Sequence, residues 1–313
     1  MCFDVRTLFI VNPASGRARS AHFKRKLLDR VANMPDAKAF VLTAAGQAQQ
    51  VASDAACDGC DRIVVAGGDG TVNEVINGIS DSRVALGIVP LGTGNVLACE
   101  LGLRTDDIDG ALDVINQGKV REFDLGLAVH RQDQDTQDDH AYKAYGRRFL
   151  LMAGFGFDAE VVRSVPPRAK GLFGRMAYAP TLIRESVRYK PSTFRIMLDS
   201  QPAFSTTAYN VVVCNCATYA PNLQIAPDAR PDDGMLDVLI FESRPAMKLR
   251  FLGWLSASLI TKWAADPCAV HHPAKHVRID SDPPVKMQLD GDVHGESGVE
   301  IRVLPKALRL IVP

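Results

Sequence analysis

A chain of 313 residues exceeds the roughly 250 at which a single hydrophobic core tends to split, and it reads as two domains. Hydrophobic residues at 47% and charged residues at 23% exclude a disordered chain, because there is enough apolar surface to fill an interior. Lys plus Arg and Asp plus Glu balance at 36 each, so no global positive field serves nucleic acid, and an anionic ligand needs a local site.

The first residues, MCFDVRTLFIV, carry neither a basic segment nor a long apolar run, so a secretory signal is not expected and the expected compartment is the cytoplasm. The longest apolar-rich stretch, 251–260, is far short of the roughly 20 residues of a membrane-spanning helix. In a reducing compartment the seven cysteines are expected as thiols. Cys57 and Cys60 form a lone CxxC without zinc-spaced partners, and Cys214 and Cys216 alternate with apolar residues as strand packing does.

In chain order, 7–11 reads as a strand, 18–31 as a helix, 39–42 as a strand, 47–56 as a helix, 62–66 as a strand and 72–79 as a helix. A fourth strand, 86–89, runs into a glycine turn at 91–94 and a further helix. This alternation predicts an open α/β domain whose ligands bind at the carboxyl ends of its strands. Beyond Asp124 the pattern changes to alternating segments at 149–153, 194–198, 209–216, 236–241, 277–279 and 308–312, which predict a largely antiparallel β domain. Helices at about 172–188 and 247–263 interrupt it, and the polar, aperiodic 130–148 predicts an exposed hairpin loop. The expected division is 1–124 and 125–313, with the last strand returning to the first domain.

Three turns carry the chemical signal: Asn12-Pro13-Ala14-Ser15-Gly16, Gly67-Gly68-Asp69-Gly70-Thr71-Val72-Asn73-Glu74, and Pro90-Leu91-Gly92-Thr93-Gly94-Asn95. Glycines after a buried strand let backbone N–H groups approach a polyphosphate, and the following helix N-terminus adds favourable partial charge. A single such turn is equally a tight strand-to-helix connection; three on one edge point to phosphate. Asp69 among them makes sense if a magnesium ion bridges it to phosphate oxygens. GxxxxGK[ST] is missing, and no GxGxxG follows the first strand, so P-loop and Rossmann sites are excluded.

These turns, together with Phe123-Asp124-Leu125-Gly126 and Asp290-Gly291-Asp292, occur in the order found in the diacylglycerol kinase catalytic family, and the chain resembles its soluble bacterial lipid-kinase branch, related to sphingosine and ceramide kinases. The resemblance implies an NAD kinase/phosphofructokinase-like α/β domain, a β-sandwich-like second domain, and ATP in the cleft between them. It implies that Asn12, Gly67, Gly68, Asp69, Gly70, Thr71, Val72, Asn73, Gly92, Thr93 and Asn95 line the nucleotide. Thr43, past the second strand, matches a further nucleotide contact, although a helix N-cap ahead of Gln47 would use the same residue. Asp124 matches an Asp near the family's metal and water network. Asp290 and Asp292 match a turn that holds magnesium or accepts the substrate hydroxyl proton. The family's usual pattern there is Asp-Gly-Glu, so Asp292 is one methylene shorter than the expected base. In Pro231-Asp232-Asp233-Gly234-Met235 the relatives hold a structural magnesium, which maps to Asp233 and the carbonyls of Arg230 and Met235; an Asp-capped turn uses the same residues.

The resemblance thus implies an ATP- and magnesium-dependent kinase of a lipid hydroxyl, with diacylglycerol leading and phosphatidylglycerol, sphingoid bases and ceramide as other acceptors. A membrane-resident substrate implies peripheral contact with the inner face of the membrane, and a homodimer is left open. Leu172 and Phe173, flanked by Lys170 and Arg175 and followed by Arg184 and Arg188, are the expected docking stretch, whereas 249–263 reads better as a core helix. An NAD kinase also uses a GGDG turn, but PLGTGN stands after the fourth strand here. A nucleic-acid module would need a basic stripe and aromatic platforms.

Overall fold

Four consecutive buried residues, Leu8 to Val11, fill the first strand, β1 (Thr7–Val11), and burial on both faces marks a parallel strand covered by helices. The computed structural model describes residues 6–16, 20–79, 82–105, 107–130, 146–164, 184–185, 188–221, 223–244 and 269–313. The expected loop interior, the Leu172 and Phe173 docking stretch and the helix at 247–263 lie outside these. The chain divides into two compact units, Met1–Phe123 with Lys306–Pro313, and Asp124–Pro305.

In the first unit β1 pairs in parallel with β2 (Ala37–Val41) and β3 (Arg62–Gly67), and β3 pairs with β4 (Ala85–Pro90). Between these strands lie α1 (Ala21–Ala32), α2 (Gln47–Cys57) and α3 (Asp69–Ile79), followed by the short α4 (Val96–Glu100) and by α5 (Ile108–Gln117). Phe9, Val11, Val64, Ala66 and Val89 pack on Leu27 and Val31 of α1 and on Leu112 and Ile115 of α5. This is the open α/β sheet that the alternation of elements predicts. One boundary differs: α3 begins at Asp69 rather than at 72, because the N–H of Val72 already donates to the carbonyl of Gly68. The glycine turn is itself the first turn of the helix.

The second unit opens within β5 (Lys119–His130) and continues through β6 (Arg147–Phe149), β7 (Met152–Gly156), α6 (Phe157–Ser164), β8 (Ser192–Leu198) and β9 (Phe204–Cys214). Next come β10 (Thr218–Ala220), β11 (Leu223–Gln224), β12 (Leu236–Glu242), β13 (Val270–Ala274), β14 (His276–Asp282), β15 (Lys286–Leu289), β16 (Asp292–Glu296) and β17 (Val299–Val312). The pairings in this unit are antiparallel, with β9 as the hub: it pairs with β7, β8 and β12. Phe155, Phe194, Ile196, Val211, Val213, Val238, Ile279 and Ile301 form its core. Strands β5 and β6 pair antiparallel on either side of 131–145, and the far end of β17 joins the first unit beside β4. The single strand predicted at 149–153 is two, broken at Leu150 and Leu151, where the ladder gives way to a carboxylate described below.

Glu300, 3% exposed on β17, is held between His276 Nε2 at 2.6 Å, Arg302 at 2.7 Å and Arg278 at 3.3 Å. Removing the carboxylate takes the shared acceptor from Arg278 and Arg302, which are themselves partly exposed, so Glu300→Ala is expected to lower the unfolding free energy by about 1–2 kcal/mol, read as a fall in the urea midpoint.

Candidate active site

The three glycine turns of the first unit meet backbone to backbone. A Cβ placed on Gly92 would lie 2.5 Å from Gly68 Cα, and one on Gly16 would lie 2.5 Å from the Leu91 carbonyl oxygen. No other residue permits that approach. The carbonyl of Gly67 accepts from the N–H groups of Leu91 and Gly92 at 2.8 and 3.0 Å, which locks the second turn to the third. Asn12 ties in the first: its Nδ2 donates to Thr71 Oγ1 at 2.8 Å, and its Oδ1 accepts from Ala14 N.

Asp69 is expected beside a bridging cation, yet its oxygens already accept backbone amides: Oδ2 from Val96 N at 3.1 Å and Oδ1 from Leu97 N at 3.2 Å. It caps α4, whose own N-cap residue, Asn95, makes no side-chain cap bond. Burial pushes its carboxyl above the ordinary range, against the pull of those N–H groups. Asn95 is 4% exposed in the left-handed region, with Nδ2 donating to Gly92 O at 2.8 Å, while its Oδ1 has no partner among the described residues. A buried acceptor is rarely left unmade, so it fits a donor brought by a ligand or by a hydrated cation.

Other expected nucleotide residues separate into two groups. Thr93 is exposed, and Gly70 is half-buried. Val72 and Asn73 are buried within α3, where Asn73 Oδ1 accepts from Asn77. Thr43 is exposed and bonds through N and Oγ1 to Gln47 Oε1; the N-cap of α2 is Gly46, in the left-handed region, so the capping alternative for Thr43 is not taken.

In the second unit the two aspartates of the Asp290 to Asp292 turn part company. Asp290, at φ 49°, accepts from the N–H groups of Leu150 at 2.8 Å, Leu151 at 2.8 Å and Met152 at 3.0 Å. These three bonds hold the break between β6 and β7, so Asp290 anchors the turn. Asp292 is exposed at the start of β16, and its carboxylate has no hydrogen-bond partner among the described residues.

Asp124 lies inside β5 and is 1% exposed. Its Oδ2 accepts from Gly234 N at 2.6 Å and its N–H donates to the Pro231 carbonyl at 2.6 Å, so it fastens the 230–235 turn. Asp233 Oδ1 accepts from Met235 N at 3.0 Å, closing the Asp-capped turn. Asp233 and the backbone carbonyls of the turn are hard oxygen donors, the type magnesium takes, although Asp233 Oδ1 and the Pro231 carbonyl already accept backbone N–H groups.

Sequence reading missed a buried polar cluster around Asp158, in the first turn of α6. The carboxylate, 3% exposed, accepts from Ala159 N at 2.7 Å, Gln288 Nε2 at 3.2 Å and Tyr219 OH at 3.5 Å. Asn210, with its amide oriented to satisfy both ends, donates to Asp158 Oδ1 at 2.9 Å and to Phe155 O at 2.7 Å. Burial raises the carboxyl to about 6 despite these donors. The available signal was Gly154-Phe155-Gly156-Phe157-Asp158, another glycine-bearing strand-to-helix junction.

A carboxyl raised in the folded state binds its proton more tightly there than in the unfolded chain. Its contribution to stability is full below about pH 4 and is lost as pH rises through about 6. Subtracting the stability profile of Asp158→Asn from that of the natural chain is expected to leave a decline over that window, measured by urea unfolding at each pH.

The model for the diacylglycerol kinase catalytic domain matches residues 6–128, and that for the YegS C-terminal NAD kinase beta sandwich-like domain matches residues 152–312. A diacylglycerol kinase of Bacillus subtilis (strain 168) is 28% identical over 98% of this chain and 96% of its own length. A crystal structure of a diacylglycerol kinase from Bacillus anthracis str. Sterne superposes with a TM-score of 0.72 at 23% identity, covering 98% of this chain and 97% of that one. Yeast NADH kinase in complex with NADH shares the fold more distantly, with a TM-score of 0.54 at 12% identity over 98% of this chain and 82% of its own.

Proposed function

Since the chain belongs to the diacylglycerol kinase catalytic-domain family, and is a lipid kinase that phosphorylates an alcohol group, we propose that it moves the γ-phosphate of ATP onto the free hydroxyl of diacylglycerol, giving phosphatidic acid. The observation that carries the nucleotide half is the glycine-to-glycine meeting of three strand-following turns, which leaves backbone N–H groups and the α3 N-terminus to face phosphate.

Gly16, Gly67, Gly68, Gly70 and Gly92 shape the cradle; Asn12 and Thr71 brace it; Thr93, Asn95 and Thr43 contact the nucleotide. Asp69 is a positioning residue that fixes the third turn through α4. In the second unit Asp292 accepts the acceptor's hydroxyl proton as its oxygen bonds to the γ-phosphorus. The bond from that phosphorus to the β,γ-bridging oxygen breaks, and ADP leaves with the electron pair. Asp292 is suited to this because it is exposed and its carboxylate makes no hydrogen bond among the described residues, while Asp290 anchors its turn. Asp233, with the carbonyls of Arg230 and Met235, would hold a structural magnesium near the buried Asp124. Magnesium, when bound, offsets phosphate and carboxylate charge. Phosphoryl transfer rests mainly on positioning and charge neutralisation, so an Asp in place of a longer Glu is workable.

The acceptor resides in a membrane, so the enzyme works peripherally, at the inner face. The test is ADP release on adding diacylglycerol vesicles: the reading predicts lipid-dependent release that stops with EDTA and returns with magnesium. Release indifferent to lipid would contradict it.

A further inference from the structure

Gln288, 3% exposed on β15, is bonded at both ends of its amide: Nε2 donates to Asp158 Oδ2 at 3.2 Å, and Oε1 accepts from Gly291 N at 2.7 Å. Gly291 is the residue between Asp290 and Asp292. The two bonds dictate each other, because a carboxylate accepts only, and turning the amide over would set Nε2 against the Gly291 N–H. The carboxylate in turn has no freedom: a Cβ on Gly154 would lie 1.8 Å from Asp158 Oδ2, so glycine there opens the space the carboxylate fills. Ala159 N and Asn210 hold its other oxygen. Gly291, at φ 88°, is otherwise the freest kind of residue in the turn.

We propose that Asp158 is a positioning residue for catalysis, which through the Gln288 amide fixes the Gly291 peptide plane and thereby aims Asp292 at the acceptor hydroxyl. The turn is then clamped on both sides, by Asp290 on the Leu150 to Met152 amides and by Gln288 on Gly291. This rests on the reading of Asp292 as the base. It also explains why a carboxylate is kept in full burial, where desolvation opposes its charge: only an acceptor at that oxygen orients Gln288 correctly.

The test exchanges the polarity of the pair. Asp158→Asn keeps an oxygen for Ala159 N and Asn210 and places an amide against Gln288, while the Tyr219 hydroxyl can turn to accept. Gln288 must then rotate and release Gly291. The expected result is a kcat lowered by about tenfold or more, with KM for ATP unchanged and a thermal midpoint no lower than that of the natural chain. Adding Gln288→Glu restores an acceptor toward residue 158 and another toward Gly291 N, and should recover most of the rate. Gln288→Met, which keeps the volume and loses both bonds, should repeat the kcat loss if Asp158→Asn folds poorly. A natural kcat in Asp158→Asn and in Gln288→Met, or a double variant no faster than Asp158→Asn alone, overturns the relay. Asp292→Asn is run beside them: an active chain there overturns the base assignment itself, whereas an inactive one with fully active relay variants overturns the relay alone.

Discussion

Asp292→Asn is expected to lower kcat for lipid phosphorylation by about 10²- to 10⁴-fold, the range for losing a general base, with ATP affinity unchanged. The amide keeps the shape of the carboxylate and cannot take the hydroxyl proton. Because the side chain is exposed and makes no hydrogen bond among the described residues, its loss should leave stability within about 0.5 kcal/mol. Asp290→Asn should behave oppositely. The amide oxygen could keep the Leu151 and Met152 N–H groups, but the NH2 would then face the Leu150 N–H, so the chain is destabilised first and slowed as a consequence. Asp292→Glu, one methylene longer, should keep substantial activity, because the exposed turn leaves room for a longer arm. Steady-state kinetics paired with urea denaturation of the three variants separates proton transfer from fastening.

The second large effect is expected at Gly92. In Gly92→Val the side chain would start 2.5 Å from Gly68 Cα and 2.7 Å from Asn95 Oδ1, contacts that backbone cannot relieve without parting the two turns. Overpacking of this kind costs about 1–3 kcal/mol, and parting the turns removes the N–H array from the phosphates. ATP binding by calorimetry should weaken by tenfold or more, on the order of the 1.4 kcal/mol that corresponds to that factor. Gly46→Ala is the control: it has a positive φ but nothing within 4 Å, so it should cost stability slightly and leave ATP binding alone.

The first unit was legible from the sequence because β1, β3 and β4 are short apolar runs buried on both faces, and its turns are written in glycine; the edge strand β2 has no buried residue. The start of α3 was not, since Gly68 and Gly70 read as punctuation, while the helix draws its first hydrogen bond from the Gly68 carbonyl. In the second unit the alternation at 194–198 and 236–241 showed strands, but the Leu150 break did not show, because it is made by Asp290, 140 residues away. The roles of individual carboxylates were the least legible. Asp69, Asp290 and Asp292 are alike as letters next to glycine, and only their surroundings distinguish a cap, an anchor and an exposed carboxylate. Asp158 was invisible for the same reason: a carboxylate after a strand looks like a helix start until Gln288 and Asn210 close around it.

The identity of the labelled product tests the central claim most directly. The chain is incubated with γ-labelled ATP, magnesium and, separately, diacylglycerol, phosphatidylglycerol, a sphingoid base, ceramide and NAD, and the labelled product is identified by mass. The account predicts labelled phosphatidic acid from diacylglycerol, formed at least about a hundredfold more slowly with Asp292→Asn. Labelled NADP, or no labelled lipid from any acceptor, would contradict it.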